Sequence, residues 1–164
     1  MVSLCKLDTA ILALPYDCRG LLTLSFWKED FFWVTHSGDP DAQKQAIHAK
    51  DMQHSNLMLL KEGHCLKDHA LSACKLPSHS LHSLGGSSLN TLIELVAGKL
   101  GTTLVPEMAL EQLVNNKPEL ICRHLDEPGP HREIAFIVRP NFPSFGNIER
   151  LIELITATLN AGAK

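Results

Sequence analysis

An α/β fold is predicted by two hydrophobic patterns that alternate along these 164 residues. Short apolar runs without alternation, at residues 9–14 and 133–138 and closed by Pro15 and Pro140, read as strands buried on both faces of a parallel sheet. Apolar residues at Leu89, Leu92, Ile93, Val96 and Leu100, and again at Ile148, Leu151, Ile152, Ile155 and Leu159, recur at helical spacing and read as amphipathic helices. Strands in alternation with helices belong to the α/β class.

The remaining elements follow in chain order. Residues 21–26 and 31–34 are strand-like and flank the charged turn Lys28-Glu29-Asp30, as in a hairpin or a strand entered from a loop. Gly38-Asp39-Pro40 closes that pair, and residues 55–60 make a further apolar strand. The breaker Glu62-Gly63 precedes a helix from about His64 to Ala73, and the serine- and histidine-rich stretch 78–88 reads as loop. Ser88 is placed to cap the helix that begins at Leu89, and Gly101 to end it. Residues 102–105 read as a short buried strand, after which Pro106 opens another helix at its first position, reaching about Val114.

Composition narrows the function. With 45% hydrophobic residues the chain suits one compact domain or two small lobes. Lysine plus arginine number 15 against 18 acidic residues, a formal charge of −3, and no basic cluster forms, so the chain is a poor candidate to grip nucleic acid by itself. The longest apolar runs are far below the ~20 residues a membrane span needs. Lys6 and Asp8 interrupt the N-terminal apolar stretch, which does not read as a signal peptide. A cytoplasmic protein is expected, with its five cysteines reduced at rest.

Cys65 and Cys74 stand nine residues apart in a segment of helical character. A continuous helix would separate them by ~13.5 Å of rise, whereas a disulfide needs the Cα atoms within ~7 Å. If these thiols bond, the helix between them must come apart, and a local oxidation becomes a conformational change. Cys65 follows a glycine turn at a helix N-terminus, with His64 and Lys67 within one turn, a setting that favours the thiolate and its oxidation to sulfenic acid. Cys74 has none of these features and suits a resolving role. Spacing alone nevertheless favours two small core residues.

The stretch Glu62-Gly-His-Cys-Leu-Lys-Asp-His-Ala-Leu-Ser-Ala-Cys74 resembles the redox segment of the OxyR family, LysR-type transcriptional activators that sense hydrogen peroxide. Residues 7–14, 88–92, 96–98, 101–106 and 132–140 match LysR effector domains in order, so the resemblance covers essentially the whole chain. It implies a two-lobed domain like the type-2 periplasmic binding proteins. Residues 1–15 and 133–164 would form part of the first lobe, and residues 16–132 the second, with a redox segment at 62–77. It implies Cys65 as peroxidatic thiol and Cys74 as resolving thiol, with His64, Lys67 and Asp68 shaping the pocket. The implied partners are hydrogen peroxide, a second copy or more of the regulator in a homodimer or tetramer, a thiol reductant of glutaredoxin or thioredoxin type, and promoter DNA.

This sequence departs from the family pattern in three ways. The given sequence is expected to lack the helix-turn-helix and the part of the first lobe that carries its hydroxyl residues, and Lys67 stands where the best-known members carry arginine, which keeps the charge and loses the planar fork. The chain alone is therefore expected to be marginally stable, to self-associate, and not to bind DNA.

Two other functions compete. An ordinary LysR effector domain would bind a small organic acid, with Ser88, Asn90 and Thr91 at a helix N-terminus holding the anion and the cysteines incidental. A thiol peroxidase that turns over is the third reading, and non-enzymatic sensing is expected in its place. No cofactor or metal is expected, since none of the nine histidines has a zinc-ligand spacing. Cys5, Cys18 and Cys122 lack partner spacing, and Trp27, Phe31, Phe32 and Trp33 read as core or subunit interface.

Overall fold

The computed structural model describes residues 7–52, 55–61, 65–75 and 85–162. Contacts divide the chain into two compact units, residues 1–28 with 133–164, and residues 29–132. The first unit thus takes in the chain through residue 28, where a boundary at residue 15 was expected. The reason is a strand: β1 (Thr9–Leu14) and β2 (Leu22–Glu29) lie on either side of β9 (Arg132–Val138), so residues 22–28 are hydrogen-bonded into the first unit's sheet.

The register of β1 on β9 is antiparallel, from Thr9 opposite Val138 to Leu14 opposite Glu133. This corrects the parallel sheet expected for these two runs. Their burial also differs. β9 is the middle strand and is buried from Ile134 to Val138, while β1 lies at the edge and leaves Ile11 51% exposed. An apolar run reports that a strand is buried but not the direction of its neighbour. The helix α5 (Phe145–Gly162) covers one face, where Ile148 packs with Phe136 and Val138 and with the half-buried Leu24, Phe26, Ile152 and Ile155. Phe26 and Phe136 meet at 5.1 Å between ring centres.

In the second unit the sheet order is β4 (Ala46–Ile47), β8 (Leu120–Leu125), β3 (Phe31–His36), β7 (Thr103–Pro106). β3 is antiparallel to both of its neighbours, and β4 is parallel to β8. β2 and β3 are therefore not a hairpin: each belongs to a different sheet, and Asp30 alone separates them, which is too short a link for the chain to fold back on itself.

Alternation along the strands feeds two apolar layers, because successive side chains point to opposite faces. Phe31, Trp33 and Leu104 face one layer with α1 (Ala49–Met52) and α2 (Cys65–Cys74), through Ala49, Met52, Ala70 and Cys74. Val34 and Val105 face the other, with α3 (Leu89–Ala97) and α4 (Glu107–Leu113), through Leu92, Ile93, Val96 and the half-buried Leu110. Each large side chain removed from water in these layers contributes about 1.5–3 kcal/mol. Trp33 and Phe31 are thus core, as one of the two expectations had it.

Three local expectations change. The helix α3 is capped by Ser88, whose hydroxyl accepts the Thr91 N–H at 3.2 Å, but it ends at Ala97, short of Gly101. Lys99 takes φ +63° there, donating its N–H to Val96, while Leu100 donates to Leu95. That double bond closes the helix as a Schellman cap, with lysine where glycine is usual. Pro106 closes β7 and serves as the cap residue of α4, so the helix proper begins one residue later. The expected strand at 55–60 is a single parallel bridge, Leu57 to Thr102, followed by the two-residue β5 (Leu59–Leu60). It pairs with β6 (Gly85–Gly86), inside the stretch read as loop; residues 78–84 of that stretch lie outside the described residues. Among the described residues no helix is long and apolar enough to cross a membrane.

Candidate redox site

The ten residues of α2 run unbroken from Cys65 to Cys74, so the two cysteines cap opposite ends of one helix, ~13.5 Å apart in rise. His64 and the side chain of Cys65 lie outside the described residues, as do Cys5, His79 and His82. Lys67 is half-buried and lines, with Leu59, Leu60, Leu66 and Ala70, a crevice of about 10 Å³, room for a single water-sized molecule. Asp68, one position on, is exposed. Of the anion-site candidates, Ser88 and Thr91 are engaged with each other in the cap, with 3.0 Å between their hydroxyls, and Asn90 is exposed.

Cys74 is a free thiol only 4% exposed, in the apolar layer with Phe31, Ala49, Met52 and Ala70. Burial, reinforced by the carboxylate of Glu127, pushes its pKa up to about 12. A thiol in that state is inert as a nucleophile. The helix ends immediately after it: Lys75 adopts φ +50° and donates to the carbonyl of Ser72 at 3.2 Å. A left-handed lysine costs about 1–2 kcal/mol, borne here at the residue that follows Cys74. Cys18 and Cys122 are free and half-buried.

Sequence reasoning missed the polar network beneath Cys74. Glu127 accepts the N–H of Ala49, the first residue of α1, at 2.8 Å, and its backbone carbonyl lies 3.0 Å from Nε2 of His131. The Nδ1 of His131 accepts the N–H of Phe31 at 3.0 Å, which leaves the ring proton on Nε2 to be donated to Glu127. The ring is fully buried. Asp30 receives the backbone N–H of His131 at 3.3 Å and pairs with Nε2 of His124 at 3.0 Å. Gly129 permits this approach, since a Cβ there would stand 2.6 Å from Oδ1 of Asp30. The available signal was Glu127-Pro-Gly-Pro-His131, a stiff segment placed between two strands.

Two adjacent carboxylates shift in opposite directions. Burial raises Glu29, and neither the N–H of Met108 nor Arg132 at 2.9 Å offsets it. Burial also acts to raise Asp30, but there the hydrogen bonds from His124 and from the backbone N–H of His131 prevail and lower it. A lowered carboxylate contributes stability that is present above its unfolded value, near 3.8, and is lost as pH falls through the folded one. Asp30→Asn is therefore expected to melt below wild type at neutral pH, with the gap narrowing as pH drops below about 3.8. Thermal melts from pH 7 to pH 3 check this; a constant gap would contradict it.

The LysR substrate binding domain family matches residues 4–160 of the chain. The chain is 40% identical over 163 residues to the HTH-type transcriptional regulator EstR of Acinetobacter baylyi, covering 94% of this chain and 52% of that protein. It is 33% identical over 148 residues to a probable hydrogen peroxide-inducible genes activator of Streptomyces viridosporus, covering 89% and 47%. Among solved structures, the reduced form of the OxyR regulatory domain from Pseudomonas aeruginosa superposes with a TM-score of 0.81 at 31% identity, covering 95% of this chain and 75% of that one. The chain spans about half the length of the curated relatives it matches.

Proposed function

This chain belongs to the family of LysR substrate binding domains, and from that premise we propose that it senses hydrogen peroxide through Cys65 and Cys74. The observation that carries this reading is one helix with a cysteine at each end, the second buried and inert, in a chain similar to OxyR regulatory domains. In the first step Cys65–SH and hydrogen peroxide give Cys65–SOH and water. In the second, Cys65–SOH and Cys74–SH give the disulfide and a second water. The second step requires α2 to unwind, because a continuous helix cannot bring the sulfurs together. His64, Lys67 and Asp68 are the residues proposed to shape the peroxide pocket.

Residues 62–77 then refold, and that change is the output. In the longer regulator it would pass to promoter DNA through a helix-turn-helix, in a homodimer or tetramer working in the cytoplasm, with a glutaredoxin- or thioredoxin-type reductant resetting the thiols. The lobes are proposed to follow the two units, 1–28 with 133–164 and 29–132.

The test is peptide mapping under non-reducing conditions after mild peroxide. A linked pair of peptides carrying Cys65 and Cys74 is expected; oxidation confined to Cys5, Cys18 or Cys122 would sink the proposal. The higher identity to EstR, whose name mentions no peroxide, favours a second reading, an effector domain for a small organic acid. On that reading Cys65→Ser would leave the regulator's response to its inducer intact.

A further inference from the structure

We propose that Glu127 is a positioning residue for disulfide closure, holding Cys74 in its bed as an unreactive thiol until α2 opens. This rests on the reading of Cys74 as the resolving thiol and adds the residue that restrains it. Glu127 reaches the site from the segment between β8 and β9. Its carboxylate oxygen fixes the Ala49 N–H at 2.8 Å, and Ala49 belongs to the apolar layer that surrounds Cys74 with Phe31, Met52 and Ala70. Its own backbone is pinned by the buried ring of His131, which is pinned in turn by the N–H of Phe31, a further member of that layer. Floor and anchor are thus tied to one side chain.

The same carboxylate acts on the sulfur. Closure proceeds through attack of the Cys74 thiolate on the sulfenic sulfur of Cys65, forming S–S and releasing hydroxide, which takes up the proton that Cys74 lost and leaves as water. After burial, the negative charge of Glu127 is the other cause that raises the Cys74 thiol. At about 12, roughly one molecule in 10⁵ carries the thiolate at pH 7. The first oxidation, at Cys65, needs none of this. Glu127 therefore separates the two steps: it leaves capture of peroxide alone and delays commitment to the disulfide.

Two variants divide the roles. Glu127→Gln keeps an oxygen to accept the Ala49 N–H and removes the charge; Glu127→Ala removes both. In the reduced full chain, iodoacetamide labelling of Cys74, followed by mass spectrometry across pH 7–10, is expected to be faster in Glu127→Gln, with the pH profile moved to lower pH. In Glu127→Ala the labelling should rise further. After a stoichiometric pulse of hydrogen peroxide, closure of Cys65–Cys74 should accelerate in the same order, while loss of the free Cys65 thiol, which reports the first oxidation, keeps the wild-type rate and dimedone traps less sulfenic acid as closure outcompetes it. Identical Cys74 labelling profiles in wild type and Glu127→Gln would overturn the inference. A shifted profile with no disulfide in any variant would leave Glu127 as the restraint on Cys74 and overturn the peroxide reading instead.

Discussion

Cys65→Ser is expected to abolish peroxide-driven disulfide formation, whereas Cys74→Ser is expected to retain the first oxidation and accumulate the sulfenic acid. The asymmetry comes from the two ends of α2. Cys65 is the first residue of α2, and a helix N-terminus leaves N–H groups unsatisfied that favour a nearby anion. Cys74 sits at the opposite end, 4% exposed and with its pKa pushed up to about 12 by burial and Glu127, so it cannot compete for peroxide. Without Cys74, the sulfenic acid at Cys65 lacks its intramolecular exit and should live at least about ten times longer. Dimedone labelling resolved by peptide gives the measurement. Equal labelling of the two single variants at both positions would show that the thiols are interchangeable and that the helix does not set their roles.

Gly101→Ala is expected to lose about 3–5 kcal/mol, from overpacking plus the broken hydrogen bonds around it. A Cβ at this position would lie 2.2 Å from the backbone oxygen of Asn56, and backbone cannot swing aside as a side-chain tip can. Around that contact the chain is stitched closely: Thr102 donates to Asn56 at 3.0 Å, Met58 to Thr102 at 2.8 Å, and the Asn56 amide to Leu100 at 2.6 Å. Pushing residues 56 and 101 apart breaks this set and lifts Leu57 and Met58 from their layers. A whole domain is held by only about 5–15 kcal/mol, so the variant should unfold at far lower urea. A urea midpoint within experimental error of wild type would show that the neighbouring segments yield without cost.

Periodicity found the helices α3 and α5 and the core positions along β3, because a face that must be buried leaves its mark on a single stretch of sequence. Pairing left no such mark. The antiparallel β1–β9 register and the separation of β2 from β3 depend on partners far away in sequence, as with Thr9 and Val138 or Phe32 and His124. The cysteines at the two ends of α2 were legible from local chemistry: a glycine turn, a histidine and a lysine around one thiol, and a plain helix end around the other. The bed of Cys74 was not. Glu127, His131 and Asp30 act through backbone groups of Ala49, Phe31 and His131 respectively, and a side chain's bond to a distant backbone N–H is invisible in residue type. Lys99 and Lys75 show the same limit, since each occupies a left-handed position that glycine alone would have advertised.

The pair of Glu29 with Arg132 at 2.9 Å joins the first and last residues of the second unit, so the segment 29–132 begins and ends at one place. Topologically the segment is a closed loop within its own unit. Such a segment can be lengthened, shortened or exchanged over evolution without moving the strands it hangs from, because β2 and β9 are already neighbours and their ends need only a short link. In polymer terms the two ends of the insertion are already brought together by the pairing of β2 with β9, and the remaining closure entropy grows only logarithmically with loop length. The arrangement lets one half of the molecule change its chemistry while the other keeps its architecture.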